Sequence, residues 1–513
     1  MNKEEEKLNI AQTVAKGGTI NVISSSIAKI LGILFYFLIL RLLPEQEAGL
    51  YFIVFAIFGF AHTITSIGIP VSVNRFIPFY LGRNKDELVR PLIKKMGIYL
   101  SIMSILICFF LFVFSQNIAD FYGEPALNDF IMLAAITTPF MLFFNFFCGI
   151  LRGIKRFFSY AAIYLFDHIL KFAILTFMIF FVSRTAFNAF LSITISLIIS
   201  TIIAGIYVMI QYKKFPNKNT IEIEETKGIF SYGIPMYISS LGSYLSGWTD
   251  TLTLGFYLTT PIVAAYNSIG LIARNIGPVI SLPLSQIMQP MLANLYGKGS
   301  DSKEYFEDLA RYYGKWALIL GLPVLIVFTI LSYQLMHIVF PQYESYHWLL
   351  WIMGPTFFIT LVAAPFRDAL WAIGRSDIFM ASSLIIVIPN LVLNIILIPI
   401  YGVLGAAVAS SITYILAQSI FIYYGYKLVN IRVHNKVPII FIIAGLCAIL
   451  LFFYAQYIET IWQIPDNLYT GTLFLCTLVI PYLIIYIVLL YFVIGVNEIE
   501  KKLFKSLIKK LKG

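Results

Sequence analysis

Apolar runs about twenty residues long, separated by short polar turns, follow one another along nearly the whole chain. A hydrocarbon core about 30 Å thick takes about 20 residues of helix at a rise of about 1.5 Å each. Fourteen stretches meet or approach that length: approximately 17–40, 48–70, 96–116, 130–151, 159–182, 189–211, 231–256, 263–288, 316–338, 347–371, 378–398, 403–426, 437–456 and 471–494. Strands of a β-barrel would be half as long and alternating, so the pattern predicts helices. The expected fold is an all-α polytopic membrane protein. The polar first 16 residues lead into a full-length span with no small-residue cleavage pattern, so the first helix is expected to be retained.

Composition agrees with the pattern. Hydrophobic residues make up 59% of the 513 and charged ones 12%, a balance that excludes a water-soluble domain. The formal charge of +10 sits mostly in loops and in the tail, where topology and anionic headgroups explain it without nucleic acid. One set of loops carries Arg83, Lys85, Arg90, Lys94, Lys95, Arg152, Lys155, Arg156, Lys213 and Lys214, whereas the opposite set has only Arg41 and Arg184. By the positive-inside rule both termini are expected in the cytoplasm. Cys108, Cys148, Cys447 and Cys476 all lie in apolar stretches without ligand-like spacing, so they are expected to be small buried hydrophobes.

The chain also aligns with itself. Gly49-Leu50-Tyr51 returns as Ala264-Ala265-Tyr266, and Tyr80-Leu81-Gly82-Arg83 as Leu295-Tyr296-Gly297-Lys298, both 215 residues on. Gly153-Ile154-Lys155-Arg156 matches Ala372-Ile373-Gly374-Arg375 at a shift of 219. Six spans per copy is an even number, so the two lobes are expected to be related by a pseudo-two-fold axis along the membrane normal. Transporters built this way hold substrate between the lobes near the midplane. The expected organisation is a first lobe at 1–222, a second at 223–430, two extra helices at 431–500, and a basic tail at 501–513. That tail reads either as an amphipathic helix on the inner leaflet or as a frayed positive-inside end.

Charges inside spans need a reason, because a centrally placed Lys or Arg costs about 2.5–3.5 kcal/mol. Lys29 lies halfway along the first span, with Asn21 and Ser25 continuing its face at four-residue spacing. The fifth span carries Asp167, His168 and Lys171, read either as a neutralised internal pair or as a group that handles protons or substrate. The eleventh places Asn390 and Asn394 four apart beside Pro389, where a freed carbonyl suits a cavity-lining helix. Arg274, near the centre of the eighth span, is expected to face a cavity in preference to burial against a hidden acid. Asp250 in the outer part of the seventh span either pairs with a cation, binds a coupling ion or caps the outer interface. Arg75, Arg152 and Arg367 lie near cytoplasmic ends and either snorkel to headgroups or rim a vestibule. No P-loop, dinucleotide-binding glycine pattern, G-x-S-x-G elbow or metal-binding histidine set is present in the sequence, so neither enzyme activity nor a cofactor is expected.

Several segments resemble a known family. Ala28-Lys29-Ile30-Leu31-Gly32, the turn from Leu42-Leu43-Pro44 to Gly49-Leu50-Tyr51, Gly153-Ile154-Lys155-Arg156 and the run Leu397-Ile398-Pro399-Ile400-Tyr401-Gly402-Val403-Leu404-Gly405-Ala406-Ala407-Val408-Ala409 are similar to the polysaccharide biosynthesis proteins. These are Wzx-type oligosaccharide flippases of the multidrug/oligosaccharidyl-lipid/polysaccharide exporter superfamily. The resemblance covers roughly the first 430 residues. It implies a MATE-like fold in a prokaryotic plasma membrane. Its implied passenger is a glycan on a polyprenyl phosphate or pyrophosphate, moved from the inner to the outer leaflet by alternating access. A coupling ion (proton or sodium), membrane lipids and polysaccharide-assembly proteins are the implied partners. Lys29 falls where related lipid II flippases have a basic residue, so by resemblance it holds pyrophosphate, although lysine lacks the bidentate fork of arginine.

A diphosphate about 4 Å from one cation gains about 4 kcal/mol at an effective dielectric of 20, enough to offset that cation's insertion. The alternatives within the superfamily are an ion-coupled multidrug antiporter and a lipid II flippase. Drug antiporters of this kind usually carry a carboxylate in the first span, where this chain has a lysine. A membrane glycosyltransferase would need a large outer loop, and the outer loops here reach only about a dozen residues.

Overall fold

The computed structural model describes residues 24–216, 223–297, 302–432 and 434–494. Among these, α-helices make up nearly all the regular structure, with two short 3-10 turns at Asp86–Leu88 and Pro341–Tyr346. Asn21 and the basic tail lie outside the described residues.

The helices are α1 (Ser24–Leu42), α2 (Glu45–Ser66), α3 (Ile69–Gly82), α4 (Val89–Val113), α5 (Ser115–Tyr122), α6 (Leu127–Gly153), α7 (Phe157–Phe181), α8 (Ala186–Tyr212) and α9 (Ile223–Tyr257). They continue with α10 (Thr260–Ile276), α11 (Pro278–Gly297), α12 (Lys303–Ile330), α13 (Ser332–Val339), α14 (Leu349–Ala372), α15 (Ser376–Tyr401), α16 (Val403–Val429), α17 (Val437–Ile461) and α18 (Leu468–Ile494). Twelve of the described helices are long and apolar enough to cross a membrane. The other two expected spans fall on α9 and on the α10–α11 pair. Serine, threonine and glycine dilute α9 over its 35 residues, and a break divides α10 from α11.

Four of the expected continuous spans cross a helix break, 96–116 at Phe114 and 316–338 at Leu331 among them. The span at 48–70 ends at Ile67 (φ 41°) and Gly68 (φ 68°), and α3 then runs on through residues read as a loop. Pro70 opens α3, where its missing N–H costs nothing. The span at 263–288 breaks at Gly277 and Pro278. The Gly49-Leu50-Tyr51 and Ala264-Ala265-Tyr266 matches lie inside helices and are not turns. Both helices start in the same register, α2 at Glu45 and α10 at Thr260.

The contacts divide the chain into two compact units, one of Met1–Asn267 with Asn390–Val403, the other of Ser268–Pro389 with Leu404–Gly513. In the first unit α6 is central, packing along α8, α4, α3 and α2, while α9 lies against α2 and α3. Glycine permits that last approach. A Cβ on Gly68 would strike the carbonyl of Gly233, and one on Gly59 would strike the Tyr244 ring. In the second unit α12 packs on α14, α11 and α17, with α18 on α17. Its core joins Leu322, Leu361 and Phe358 to Cys447, Phe474 and Tyr486. Cys148 and Cys447 are buried as expected, but Cys476 is exposed and Cys108 only half-buried.

Candidate substrate pocket and buried polar clusters

A cavity of about 570 Å³ opens in the first unit where α2, α3, α6 and α9 meet. That is within the range of small-molecule sites, about 300–1,000 Å³. The α2–α3 break supplies one wall, with Ser66, Gly68 and Pro70. Opposite, α9 contributes Ser240, Ser243, Tyr244 and Trp248. The Tyr244 and Trp248 rings are nearly parallel, 19° between planes at 6.3 Å, and Tyr244 is fixed by donating its hydroxyl to the Ala56 carbonyl at 2.7 Å.

Polar groups converge on this cavity. Asn145 of α6 lies 3.0 Å from His62 Nε2 of α2. With the amide as donor, the imidazole is neutral and carries its proton on Nδ1. Arg152, in the last turn of α6, lines the cavity with its guanidinium 4.9 Å over the Tyr160 ring. Its Nε is buried and hydrogen-bonds nothing among the described residues. No acidic side chain lines the cavity among the described residues. Such a site offers one cation, several neutral hydrogen-bonding groups and two aromatic faces. It suits an anionic, hydroxyl-rich ligand.

A second cluster in the same unit gathers the asparagine pair and the acid of α9. Asp250, 4% exposed, accepts from Tyr266 Oη at 2.5 Å and from Asn394 Nδ2 at 2.8 Å. Asn394 Nδ2 also reaches Asn390 Oδ1 at 3.1 Å, and its own Oδ1 is buried without a hydrogen-bond donor among the described residues. Thr251 donates to Asn267 Oδ1 beside them at 3.1 Å. Asn390 and Asn394 are buried as well, so this is a buried, oxygen-rich cluster.

A family model described as "Polysaccharide biosynthesis protein" matches residues 14–296, more than half of the chain. The chain belongs to that family. It is 25% identical over 461 residues to an uncharacterized membrane protein of Methanocaldococcus jannaschii, covering 86% of this chain and 90% of that one. It is 24% identical over 421 residues to a putative O-antigen transporter of Shigella flexneri, covering 79% of this chain and 96% of the relative. Among solved structures, the lipid II flippase MurJ in an inward closed conformation superposes with a TM-score of 0.71 at 14% identity, over 92% of this chain and 99% of that one. That likeness shows that this family member and the flippase share a fold.

The remaining expected site residues are dispersed. Lys29 and Ser25 are exposed on α1, and Arg75 is exposed on α3 with its guanidinium 5.8 Å from the Phe76 ring. On α7, Asp167 is 2% exposed, 3.7 Å from Lys171 Nζ, and accepts from Ser196 Oγ at 2.5 Å. His168 Nδ1 donates to the Tyr164 carbonyl at 2.9 Å, and its separation from Asp167 is a longer 3.8 Å. In the second unit, half-buried Arg274 falls in the last turn of α10 and not at the middle of a long span. A cation there complements the helix C-terminus, worth about 0.3–1 kcal/mol.

Arg367 lies 3.5 Å from both Asp368 Oδ1 and Ser285 Oγ. Asp368 itself is fully buried and accepts from Gln289 and Tyr313, each at 3.0 Å. Neither Asp368 nor Lys315, 1% exposed in α12, stands out in the sequence. The apolar pattern starts that span one residue past Lys315, whereas the helix begins at Lys303. His62, Asn145, Tyr244 and Trp248 escape sequence reasoning as well. Their meeting depends on helix packing, and His62 alone looks like an isolated core histidine.

Proposed function

We propose that this protein moves a lipid-linked glycan from the cytoplasmic to the outer leaflet by alternating access. The passenger's phosphate and sugars enter the cavity at His62, Asn145 and Arg152, and its polyprenyl chain stays in lipid. That cavity carries the reading: a cation beside aromatic faces and neutral hydrogen-bonding groups fits a sugar phosphate. A cation-exporting drug antiporter would want a carboxylate there. Membership of the family supports the proposal, as do the O-antigen transporter among its relatives and the lipid II flippase that shares its fold. Lys29 and Arg274 are proposed as further phosphate contacts at other stages of passage. Asp250, with Asn390 and Asn394, is proposed to take the coupling ion, a proton or sodium.

The test is appearance of the lipid-linked sugar on the outer face of cells making it. Arg152→Ala should leave membrane insertion intact and slow appearance about tenfold or more, equivalent to about 1.4 kcal/mol of lost binding. Arg152→Lys should fall between the two, because a point charge keeps the attraction but loses the fork. Lys29→Ala and Arg274→Ala should also slow it. Full activity in all of them discards the cationic passage.

A further inference from the structure

The second unit holds a cavity of its own, about 210 Å³, between α12, α14, α17 and the link that joins α16 to α17. Its apolar lining is Leu318, Val362, Phe366 and Phe441, the last of them exposed. Its mouth is basic, with Arg311, Arg432 and His434. Arg311 stands seven residues before Leu318 on α12, a rise of about 10 Å, so charge and grease are separated along the helix axis.

Gly314 lies between them and leaves the groove open. A Cβ there would touch only Pro365 Cγ, at an ordinary 3.5 Å. The polar groups at the mouth are partly engaged. Arg311 Nη1 pairs with Asp308 at 3.1 Å, while its Nε is buried without a hydrogen-bond partner among the described residues. Arg432 is exposed and donates weakly to Asn430 Oδ1 at 3.4 Å. His434 Nδ1 accepts the backbone N–H of Lys436 at 3.1 Å, which places the proton of the neutral ring on Nε2. Asp308 faces Arg311, and no acid lines the cavity among the described residues.

We infer that this groove is a binding site for an anionic phospholipid of the surrounding membrane. The phosphate sits on Arg311 and Arg432, and one hydrocarbon chain runs down past Gly314 to Leu318 and Phe441. Basic pockets at the ends of membrane helices hold such headgroups by charge, and an adjoining apolar slot selects a headgroup that carries a tail. Charge complementarity at the mouth distinguishes this occupant from a neutral lipid, and the slot distinguishes it from free phosphate. The site is separate from the cavity at His62 and Arg152, and the inference stands without any assignment of the passenger.

The experiment uses the full-length protein in mild detergent, with thermal unfolding followed while phosphatidylglycerol, phosphatidylcholine, glycerol 3-phosphate or a polyprenyl phosphate is added. Phosphatidylglycerol should raise Tm by several degrees, and phosphatidylcholine and glycerol 3-phosphate by a small fraction of that. Arg311→Ala with Arg432→Ala should remove most of the gain. Gly314→Leu keeps every charge and fills the slot, and it should remove the gain too. Native mass spectrometry of the same preparations should show one fewer tightly held phosphatidylglycerol in each variant. Equal gains from both phospholipids, a gain reproduced by glycerol 3-phosphate, or unchanged lipid occupancy in the variants overturns the inference. So does a gain given by polyprenyl phosphate alone, which would assign the groove to the passenger's tail.

Discussion

Replacing Lys171 by methionine keeps most of the side chain and deletes its charge, leaving Asp167 buried in α7 with Ser196 as its remaining close donor. Two unit charges at 3.7 Å attract by about 4 kcal/mol at an effective dielectric of 20. Removing one partner of a buried pair costs about 3–5 kcal/mol, mostly because the other charge is stranded. Lys171 is 20% exposed, so solvent screens the pair and the lower end applies, about 3 kcal/mol. Asp167→Asn is milder. The amide can still meet Ser196, and the lysine, 5.9 Å from the Phe35 ring, can extend toward water at a cost of about 1 kcal/mol. With both substitutions no charge is stranded, and the double variant should lose no more than about 2 kcal/mol. The expected interaction energy is therefore about 2 kcal/mol, read from thermal unfolding of the four proteins in one detergent. Costs that add to within about 0.5 kcal/mol would show the two side chains to be uncoupled, since independent sites add to that precision.

Two further substitutions probe the fold around the cavity and the acid cluster. Gly68→Ala puts a Cβ on a residue at φ 68° and against the Gly233 carbonyl; it should destabilise by about 1–3 kcal/mol, and an unchanged Tm would mean α9 does not cross α3 there. Asn394→Leu takes the amide from Asp250 Oδ1 and should cost about 2 kcal/mol, the scale of a hydrogen bond to a charged group; a wild-type Tm would mean that bond adds nothing to stability.

Span positions are legible in the sequence because few structures other than a membrane helix need an apolar run of that length. Interruptions are harder to see. Gly277-Pro278 is a dipeptide that breaks helices and is a usable signal. Ile67 is not, since a β-branched residue at φ 41° is disfavoured locally and is held there by its surroundings. The site divides in the same way. Arg152 and the Asn390–Asn394 pair are visible from charge and spacing. Their partners are not, because Asn394 meets Asp250 across 144 residues and Asn145 meets His62 across 83, and single-chain periodicity carries no such information.

The repeat, by contrast, is written down to individual hydrogen bonds. After α6, Ile154 N–H bonds to Ile150, Lys155 to Arg152 and Arg156 to Leu151; after α14, Ile373 bonds to Ala369, Gly374 to Trp371 and Arg375 to Leu370. Each pair is offset by the same 219 residues, and both ends are Schellman caps with a left-handed residue, Lys155 at φ 59° and Gly374 at φ 79°. Glycine takes that conformation freely, whereas lysine costs about 1 kcal/mol.

The strained copy is the one whose cap follows Arg152, at the edge of the cavity. Three buried acids meet donors within their own unit: Asp167 meets Lys171, Asp250 meets Tyr266 and Asn394, and Asp368 meets Tyr313 and Gln289. Arg152 has a ring beneath it and an Nε with no acceptor among the described residues. A buried donor left unmet costs about 1–3 kcal/mol, against about 0.5–2 kcal/mol from the ring. Under the proposed function, an anionic passenger gives Arg152 Nε the acceptor it lacks among the described residues, and relief of that cost adds to the passenger's binding.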